Sequence, residues 1–158
     1  MYDDGPGGAG EPDQLDDPVL PPLTAQLLAA YLATEVVDAD GVVWSGVGAL
    51  QALAGCWVIT AENPFSRRRA DEANRAANAR LVRTIEAAGF ATTQLVGRAA
   101  DESWSESCLA VSGPSLEQIC SWGREHGQHA VFRLTGSEHE VVSCWTRSRL
   151  AVRGRVLR

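Results

Sequence analysis

The sequence of 158 residues contains no lysine, and its longest apolar runs are short. None of these runs reaches the roughly 20 residues that a membrane-spanning helix needs. The first residues, MYDDGPGGAGEPDQ, carry acids where a secretory signal has bases, and no apolar segment follows them. We therefore expect a cytoplasmic protein that does not enter a membrane.

No C-x-x-C pair is present, so neither a zinc ribbon nor a thioredoxin-like motif is encoded. The cysteines are widely spaced: Cys56, Cys108, Cys120 and Cys144. We expect them to be reduced thiols, buried as small hydrophobic side chains. The three histidines are dispersed, with only His126 and His129 close together, so we expect no metal site and no cofactor.

The acidic residues are concentrated at one end. Residues 1–22 hold six acids and no base, which equals the formal net charge of −6. This segment, rich in Gly, Pro and Asp, is predicted to be a disordered acidic tail. Residues 23–146 are long enough to bury one core and are predicted to form a single domain.

Residues 147–158 form an arginine-rich segment without an acid. Such a segment is typical of nucleic-acid binding. The rest of the chain beyond the acidic tail has no net positive charge and no aromatic-interleaved basic motif, so we do not expect a nucleic-acid partner. A protein partner that docks on the acidic or the arginine-rich end is an alternative.

Helical periodicity is clearest over residues 71–88, where Ala77, Leu81 and Ile85 form one apolar stripe. Gly89 is placed to end this helix as a C-cap residue. A second helix starts at Ser115, which has capping-box spacing to Gln118, and an additional helix follows Thr24 near the N-terminus. Four strand-like runs lie around the two main helices: 55–61, 90–97, 107–113 and 128–135.

From residue 55 to residue 135 these elements follow the order strand, helix, strand, strand, helix, strand. That is the order of a ferredoxin-like, or split βαβ, α+β domain. We expect a mixed or antiparallel sheet covered by two helices, with an added N-terminal helix and a C-terminal strand.

Two asparagines interrupt the buried side of the main helix. On a helical wheel Asn74 and Asn78 lie within or beside the apolar stripe of Leu81. An amide buried without partners costs about 1–3 kcal/mol, so polar groups must meet both side chains.

The polar partners are expected where the first strand of the sheet ends. Asn63 and Ser66 follow this strand, and Gln128 starts the last strand, which should lie antiparallel beside it. We therefore predict one pocket formed by Asn63, Ser66, Asn74, Asn78 and Gln128. Glu106 is harder to place, because a parallel arrangement of its strand would put it about 20 Å away, at the opposite end of the sheet.

The chain resembles a bacterial family of small proteins known only as domain of unknown function family 3293. The resemblance covers Cys56 to Phe132 through the segments ITAENPFS, EANRAANARL, ESCLAV and GREHGQHAVF. The matching positions include the pocket candidates together with others: Asn63, Pro64, Ser66, Asn74, Asn78, Leu81, Glu106, Ser107, Gly127 and Gln128.

This sequence departs from the family at four of its positions. Ala70 stands where the family tends to have a helix-capping Ser, and Cys108 where Phe is usual. His126 replaces an aromatic residue, and His129 replaces an Asn. The missing cap bears on where the main helix begins, and His129 bears on the pocket. The resemblance implies no activity.

Three functions remain open. The leading hypothesis is a pocket that binds a small molecule or a nucleotide-like ligand through Asn63, Ser66, Asn74, Asn78, Gln128 and Glu106. The alternatives are a protein-interaction module that uses the tails, and an enzyme that uses Glu106 as acid or base. Cys108 is a candidate nucleophile, although its apolar strand favours burial. A polar network that only fixes one loop would also explain the two helix asparagines.

Overall fold

The structure is a computed structural model, which describes residues 23–44, 53–136 and 138–154. The predicted acidic tail, residues 1–22, lies outside the described residues, as do the last four residues of the arginine-rich segment. In the described ranges, no helix combines the length and the apolar character needed to cross a membrane.

Three α-helices, one short 3₁₀ helix (Pro64–Ser66) and eight strands occupy the described ranges. The helices are α1 (Ala25–Leu32), α2 (Asp71–Ala87) and α3 (Leu116–Glu125). The strands are β1 (Glu35–Val37), β2 (Val43–Trp44), β3 (Trp57–Ile59), β4 (Thr92–Arg98), β5 (Ser105–Val111), β6 (Ala130–Leu134), β7 (Glu138–Ser143) and β8 (Arg149–Gly154).

All eight strands belong to one antiparallel sheet in the order β2-β1-β4-β5-β3-β6-β7-β8. The sheet is curled into a half-barrel. The prediction of a ferredoxin-like sheet covered by two helices is therefore wrong. Strands β1 and β2 extend one edge, β7 and β8 extend the other, and α1 lies over the opposite face from α2 and α3.

The physical reason for this difference is that the central strands are apolar on both faces. Successive side chains of a strand point to opposite faces. In β5, Leu109 and Val111 pack with α2 and α3, whereas Cys108 and Ala110 belong to a second apolar cluster on the other face. Two helices on one side would leave that second cluster exposed, and α1 lies over it instead.

The two faces are filled to different degrees. The face covered by α2 and α3 buries large side chains completely, among them Leu81, Ile85 and Ile119. The opposite face carries Val58, Leu134 and their neighbours, and α1 lies over it without burying any of its own residues completely. This incomplete cover leaves space between α1 and the sheet.

Helix α2 begins without a side-chain cap. Its N-cap residue Ala70 has extended backbone angles (φ −55°, ψ 140°) and no hydroxyl to accept a hydrogen bond from the first turn. The acidic side chains of the first turn, Asp71 and Glu72, interact favourably with the positive end of the helix dipole. The start of α2 therefore depends on charge and on tertiary contacts rather than on a cap.

We predict that Ala70→Ser stabilises the protein by about 1 kcal/mol. The serine hydroxyl can accept a hydrogen bond from a backbone N–H group in the first turn of α2, which alanine cannot do. Urea denaturation would measure the free energy of unfolding. Ala76→Ser is the matched control, since Ala76 is an exposed interior position of α2 and serine lowers helix propensity there. The prediction would be contradicted if Ala70→Ser changed the free energy of unfolding by the same amount as Ala76→Ser, or lowered it.

His139 on β7 is a buried histidine that its surroundings keep neutral. Its ring packs edge-to-face on Phe132, with centroids 4.6 Å apart, and its Nε2 is sealed from solvent without a hydrogen-bond partner in the described structure. Burial lowers the pKa of His139 to about 4, and the charge of Arg153 on the neighbouring strand contributes. Protonation of His139 is therefore unfavourable in the folded state.

This predicts an acid-sensitive step in stability. Below the ordinary histidine pKa of about 6.5, the unfolded chain binds the proton first, so stability falls between about pH 6.5 and pH 4. The loss from His139 is on the order of 3 kcal/mol. His139→Leu should flatten this part of the pH profile of the free energy of unfolding. A variant profile as steep as that of the wild type would show that other groups cause the loss.

Candidate functional site

The segment between β3 and α2 has an unusual backbone. Three non-glycine residues adopt positive φ angles: Asn63 (45°), Phe65 (54°) and Ser66 (59°). This left-handed conformation costs most residues about 1–2 kcal/mol, although Asn tolerates it better. The segment from Ala61 to Arg69, called the site loop below, must therefore be held by its surroundings.

Helix α2 holds the site loop through the two asparagines. Asn74 Oδ1 accepts the backbone N–H of Asn63 at 3.0 Å, and Asn74 Nδ2 donates to Asn63 Oδ1 at 3.0 Å. Asn78 Oδ1 accepts the N–H of Ala61 at 2.9 Å, and Asn78 Nδ2 donates to Glu62 Oε1 at 3.1 Å. The inward amides on α2 thus satisfy the main chain where β3 ends.

Arg69 closes the site loop on itself. Its backbone N–H donates to Asn63 Oδ1 at 2.9 Å. Its guanidinium donates from Nη2 to the carbonyl of Ala61 at 3.0 Å and from Nε to Asn74 Oδ1 at 3.2 Å. Arg69 is therefore engaged by the loop itself, and its charge lies beside the polar network.

The turn after α3 supports the loop from the other side. The carbonyl of Gly127 accepts the N–H of Phe65 at 2.7 Å, and Gln128 Nε2 donates to the carbonyl of Glu62 at 2.9 Å. Trp145 Nε1 in turn donates to the carbonyl of Gln128 at 2.9 Å. Residues that are distant in sequence thus meet at one end of the sheet.

Two carboxylates face each other beside this network. Strands β3 and β5 pair Ile59 with Leu109, and extending this antiparallel register places Glu62 opposite Glu106. Asn63 Nδ2 donates to Glu106 Oε1 at 2.8 Å. Neither carboxylate forms an ion pair with a described residue.

Burial is the main influence on both acids. It raises the pKa of Glu106, the hydrogen bond from Asn63 opposes this rise, and the charge of Glu62 adds to it. Burial likewise raises the pKa of Glu62, with opposing hydrogen bonds from Ser107. Two carboxyl groups with raised pKa values are suited to exchange protons or to bind a cationic group.

A cavity of about 560 Å³ opens in front of Glu106. Its walls come from α1, from the site loop and from five neighbouring strands, β1, β4, β5, β3 and β6. Tyr31 of α1 crosses to the site loop, where its hydroxyl lies 2.6 Å from Ser66 Oγ. Burial raises the pKa of Tyr31, and the charge of Glu106 contributes to the rise. The polar network therefore borders an accessible space.

The structure brings most of the predicted site residues to this cavity. Lining residues include Asn63, Ser66, Asn74, Glu106 and Gln128. Asn78 does not line it, and its amide forms hydrogen bonds with Ala61, Glu62 and Ser107.

The parallel arrangement that would have placed Glu106 at the far end of the sheet does not occur. Strand β5 runs antiparallel to β3, so its first residues are next to the end of β3. Sequence reasoning also missed Glu62 and Tyr31. The position of Glu62 beside Asn63 was an available signal, whereas Tyr31 had only the pattern of a core residue.

Cys108 does not have the properties of a nucleophile. Its side chain is buried in the apolar cluster on the face under α1, and burial, reinforced by the charge of Glu106, raises the pKa of its thiol to about 12. The thiolate is the reactive form, and it is scarce at neutral pH.

In the described part of the chain, no group of three or more His, Cys, Asp and Glu side chains is arranged to hold a metal ion.

The fold and the site define a small domain whose curled sheet and first helix enclose a carboxylate-bearing cavity. The model of the family described as protein of unknown function (DUF3293) matches residues 59–131. This match confirms the resemblance to domain of unknown function family 3293 over those residues, which include the site loop, α2, Glu106 and Gln128. No curated protein and no solved structure matches the chain.

Two glycines at equivalent helix ends provide a test of the site loop. Gly89 after α2 and Gly127 after α3 both have positive φ, 92° and 66°. A Cβ at Gly89 would meet no atom within 4 Å, whereas a Cβ at Gly127 would lie 2.9 Å from Pro64 Cβ and 3.2 Å from Phe65 Cε2.

We predict that Gly89→Ala costs about 1–2 kcal/mol from its backbone conformation and that Gly127→Ala costs a further 1–3 kcal/mol, roughly, from the overlap with Pro64. The free energy of unfolding in urea measures both. Equal costs for the two substitutions would show that the site loop moves away from Gly127 freely.

Proposed function

We propose that this protein binds a small organic molecule in the cavity, and that Glu106, with Glu62 beside it, holds a cationic or hydrogen-bond-donating end of that molecule. The observation that carries the proposal is the half-buried carboxylate pair facing an accessible cavity without an ion-pair partner among the described residues. Burying such charges is unfavourable, and a ligand cation would offset the cost.

The size and the walls of the cavity support this proposal. Ligand pockets commonly enclose about 300–1,000 Å³ and combine apolar walls with a few polar groups. Here the volume is about 560 Å³, and the rings of Tyr31, Trp104 and Phe132 provide apolar surface. Aromatic rings also attract cations. The ligand is expected to have an apolar body and one polar end.

The charges around the cavity argue for an amine rather than a phosphate. Four acids line it, namely Glu62, Asp71, Glu102 and Glu106, against Arg68 and Arg69. Arg69 already donates to the site loop, so it is not free to form a new phosphate site. Of the two ligand types expected from the sequence, a small molecule with a protonated amine fits better than a nucleotide-like one.

A matched set of probes tests this function. Phenethylamine, 2-phenylethanol and 3-phenylpropionate share a ring and a short chain and differ in the charge of the end group. We expect NMR titration of the full-length protein to show the tightest binding for phenethylamine, with shifts in residues that line the cavity. The absence of binding by all three probes at millimolar concentration would count against the proposal.

Glu106→Gln is the variant that isolates the charge. Glutamine retains an Oε1 that accepts the hydrogen bond from Asn63, so the geometry should persist. We expect phenethylamine to bind at least about tenfold more weakly, equivalent to about 1.4 kcal/mol, with no change for 2-phenylethanol. An unchanged affinity for the amine would exclude Glu106 as its partner.

The same variant should also be more stable than the wild type. The pKa of Glu106 is raised in the folded state, so ionisation of Glu106 destabilises the fold as the pH rises through that pKa. Glu106→Gln removes this loss and should increase the midpoint of thermal unfolding at pH 7. A lower midpoint would show that the charge contributes to stability instead.

A second candidate function is catalysis with Glu106 as general acid or base. It is favoured by the raised pKa of a carboxyl group that opens onto the cavity near the hydroxyls of Tyr31 and Ser66.

A cytoplasmic setting is part of the proposal, because the reducing cytoplasm keeps thiols free, and the four cysteines are unpaired.

A further inference from the structure

The orientation of the Asn63 side-chain amide follows from a neighbouring group that can act only as a hydrogen-bond donor. Asn63 Oδ1 lies 2.9 Å from the backbone N–H of Arg69. A backbone N–H can only donate, so the atom facing it must be the amide oxygen. The amide nitrogen of Asn63 must then point the other way, toward Glu106 Oε1 at 2.8 Å.

Asn74 reinforces this orientation and is itself fixed in the same manner. Its Oδ1 accepts from two donors, the backbone N–H of Asn63 at 3.0 Å and Arg69 Nε at 3.2 Å. Its Nδ2 is therefore the atom that donates to Asn63 Oδ1, at 3.0 Å. A continuous chain of hydrogen bonds runs from α2 through Asn74 and Asn63 to Glu106.

This chain makes the two oxygens of Glu106 different. Oε1 faces an N–H donor and acts as an acceptor, so a proton on this carboxyl group has to reside on Oε2. No hydrogen bond joins Oε2 to a described residue. The sealed polar atoms without partners in the described structure belong to Arg98 and His139, so Oε2 is not sealed. Oε2 is therefore accessible, and Glu106 is one of the residues that line the cavity.

We propose that Asn74 is a positioning residue for Glu106: acting through Asn63, it fixes Oε2 as the oxygen that meets the ligand and carries the carboxyl proton. The part that concerns the ligand rests on the proposed function. Asn74 forms no hydrogen bond with Glu106, so its effect has to pass through the Asn63 amide.

A purely structural role for Asn74 predicts something different. The site loop has other anchors that do not involve Asn63, such as Gln128, which donates to the carbonyl of Glu62. If Asn74 only secured the loop, removing Asn74 and removing Gln128 would affect Glu106 alike. The state of Glu106 therefore distinguishes positioning from simple anchoring.

The test is a carboxyl ¹³C NMR titration of Glu106 in the full-length protein without ligand. Asn63→Ala should raise the pKa of Glu106, because it removes a hydrogen bond that favours the carboxylate. We expect Asn74→Ala to produce at least half of that rise, the double variant to equal Asn63→Ala alone, and Gln128→Ala to produce no rise. The other titratable groups near Glu106, namely Glu62, Tyr31 and Cys108, are retained in every variant.

The proposal is overturned if Asn63→Ala raises the pKa and Asn74→Ala does not, or if Gln128→Ala raises it equally. Wild-type protein provides a second measurement in case a variant fails to fold. The side-chain NH₂ signals of Asn63 and Asn74 should both titrate with the midpoint of Glu106, and a signal of Asn74 that ignores this midpoint would also overturn the proposal. Because no ligand is used, the result is independent of whether the amine probes bind.

Discussion

The hydrogen bonds from two asparagines of α2 to the end of β3 are the interaction on which the site depends. The site loop turns sharply, with non-glycine residues in the left-handed region, and it places the N–H groups of Ala61 and Asn63 against a packed helix. An apolar side chain at either helix position would leave one of these groups without its partner, at a cost of about 1–3 kcal/mol. The amides thus allow a strained loop to sit beside a well-packed core.

The same region concentrates features that oppose stability. Glu62 and Glu106 lie near each other in a partly buried setting. Burial raises the pKa of both, and the charge of Glu62 adds to the rise for Glu106. Unfavourable charge and backbone strain are retained at one end of the sheet, whereas the core under α2 and α3 is almost fully buried. Such a contrast is typical of sites where a ligand, rather than the fold itself, completes the interactions.

Local periodicity predicted the part of the site that lies on one element. The inward direction of Asn74 and Asn78 follows from the helical repeat, and the position of Gln128 follows from an antiparallel last strand. The place of Glu106 could not be predicted in this way, because it depends on the direction of β5 relative to β3. The predicted fold class is wrong for a related reason. Strands as short as β1 and β2 carry little sequence pattern. The central strands are apolar on both faces, and the order of elements does not specify which segments cover the second face.

The sequence by itself determined which helix faces are buried, where α2 and α3 end, and that two amides had to meet polar partners, since these properties depend on side chains a few residues apart. Only the tertiary structure decided that the sheet curls, that α1 leaves a cavity beneath it, and that Glu62 lies opposite Glu106. Those features arise from pairings between distant segments, whose register and direction are selected by the packing of the whole sheet rather than by any single stretch of chain.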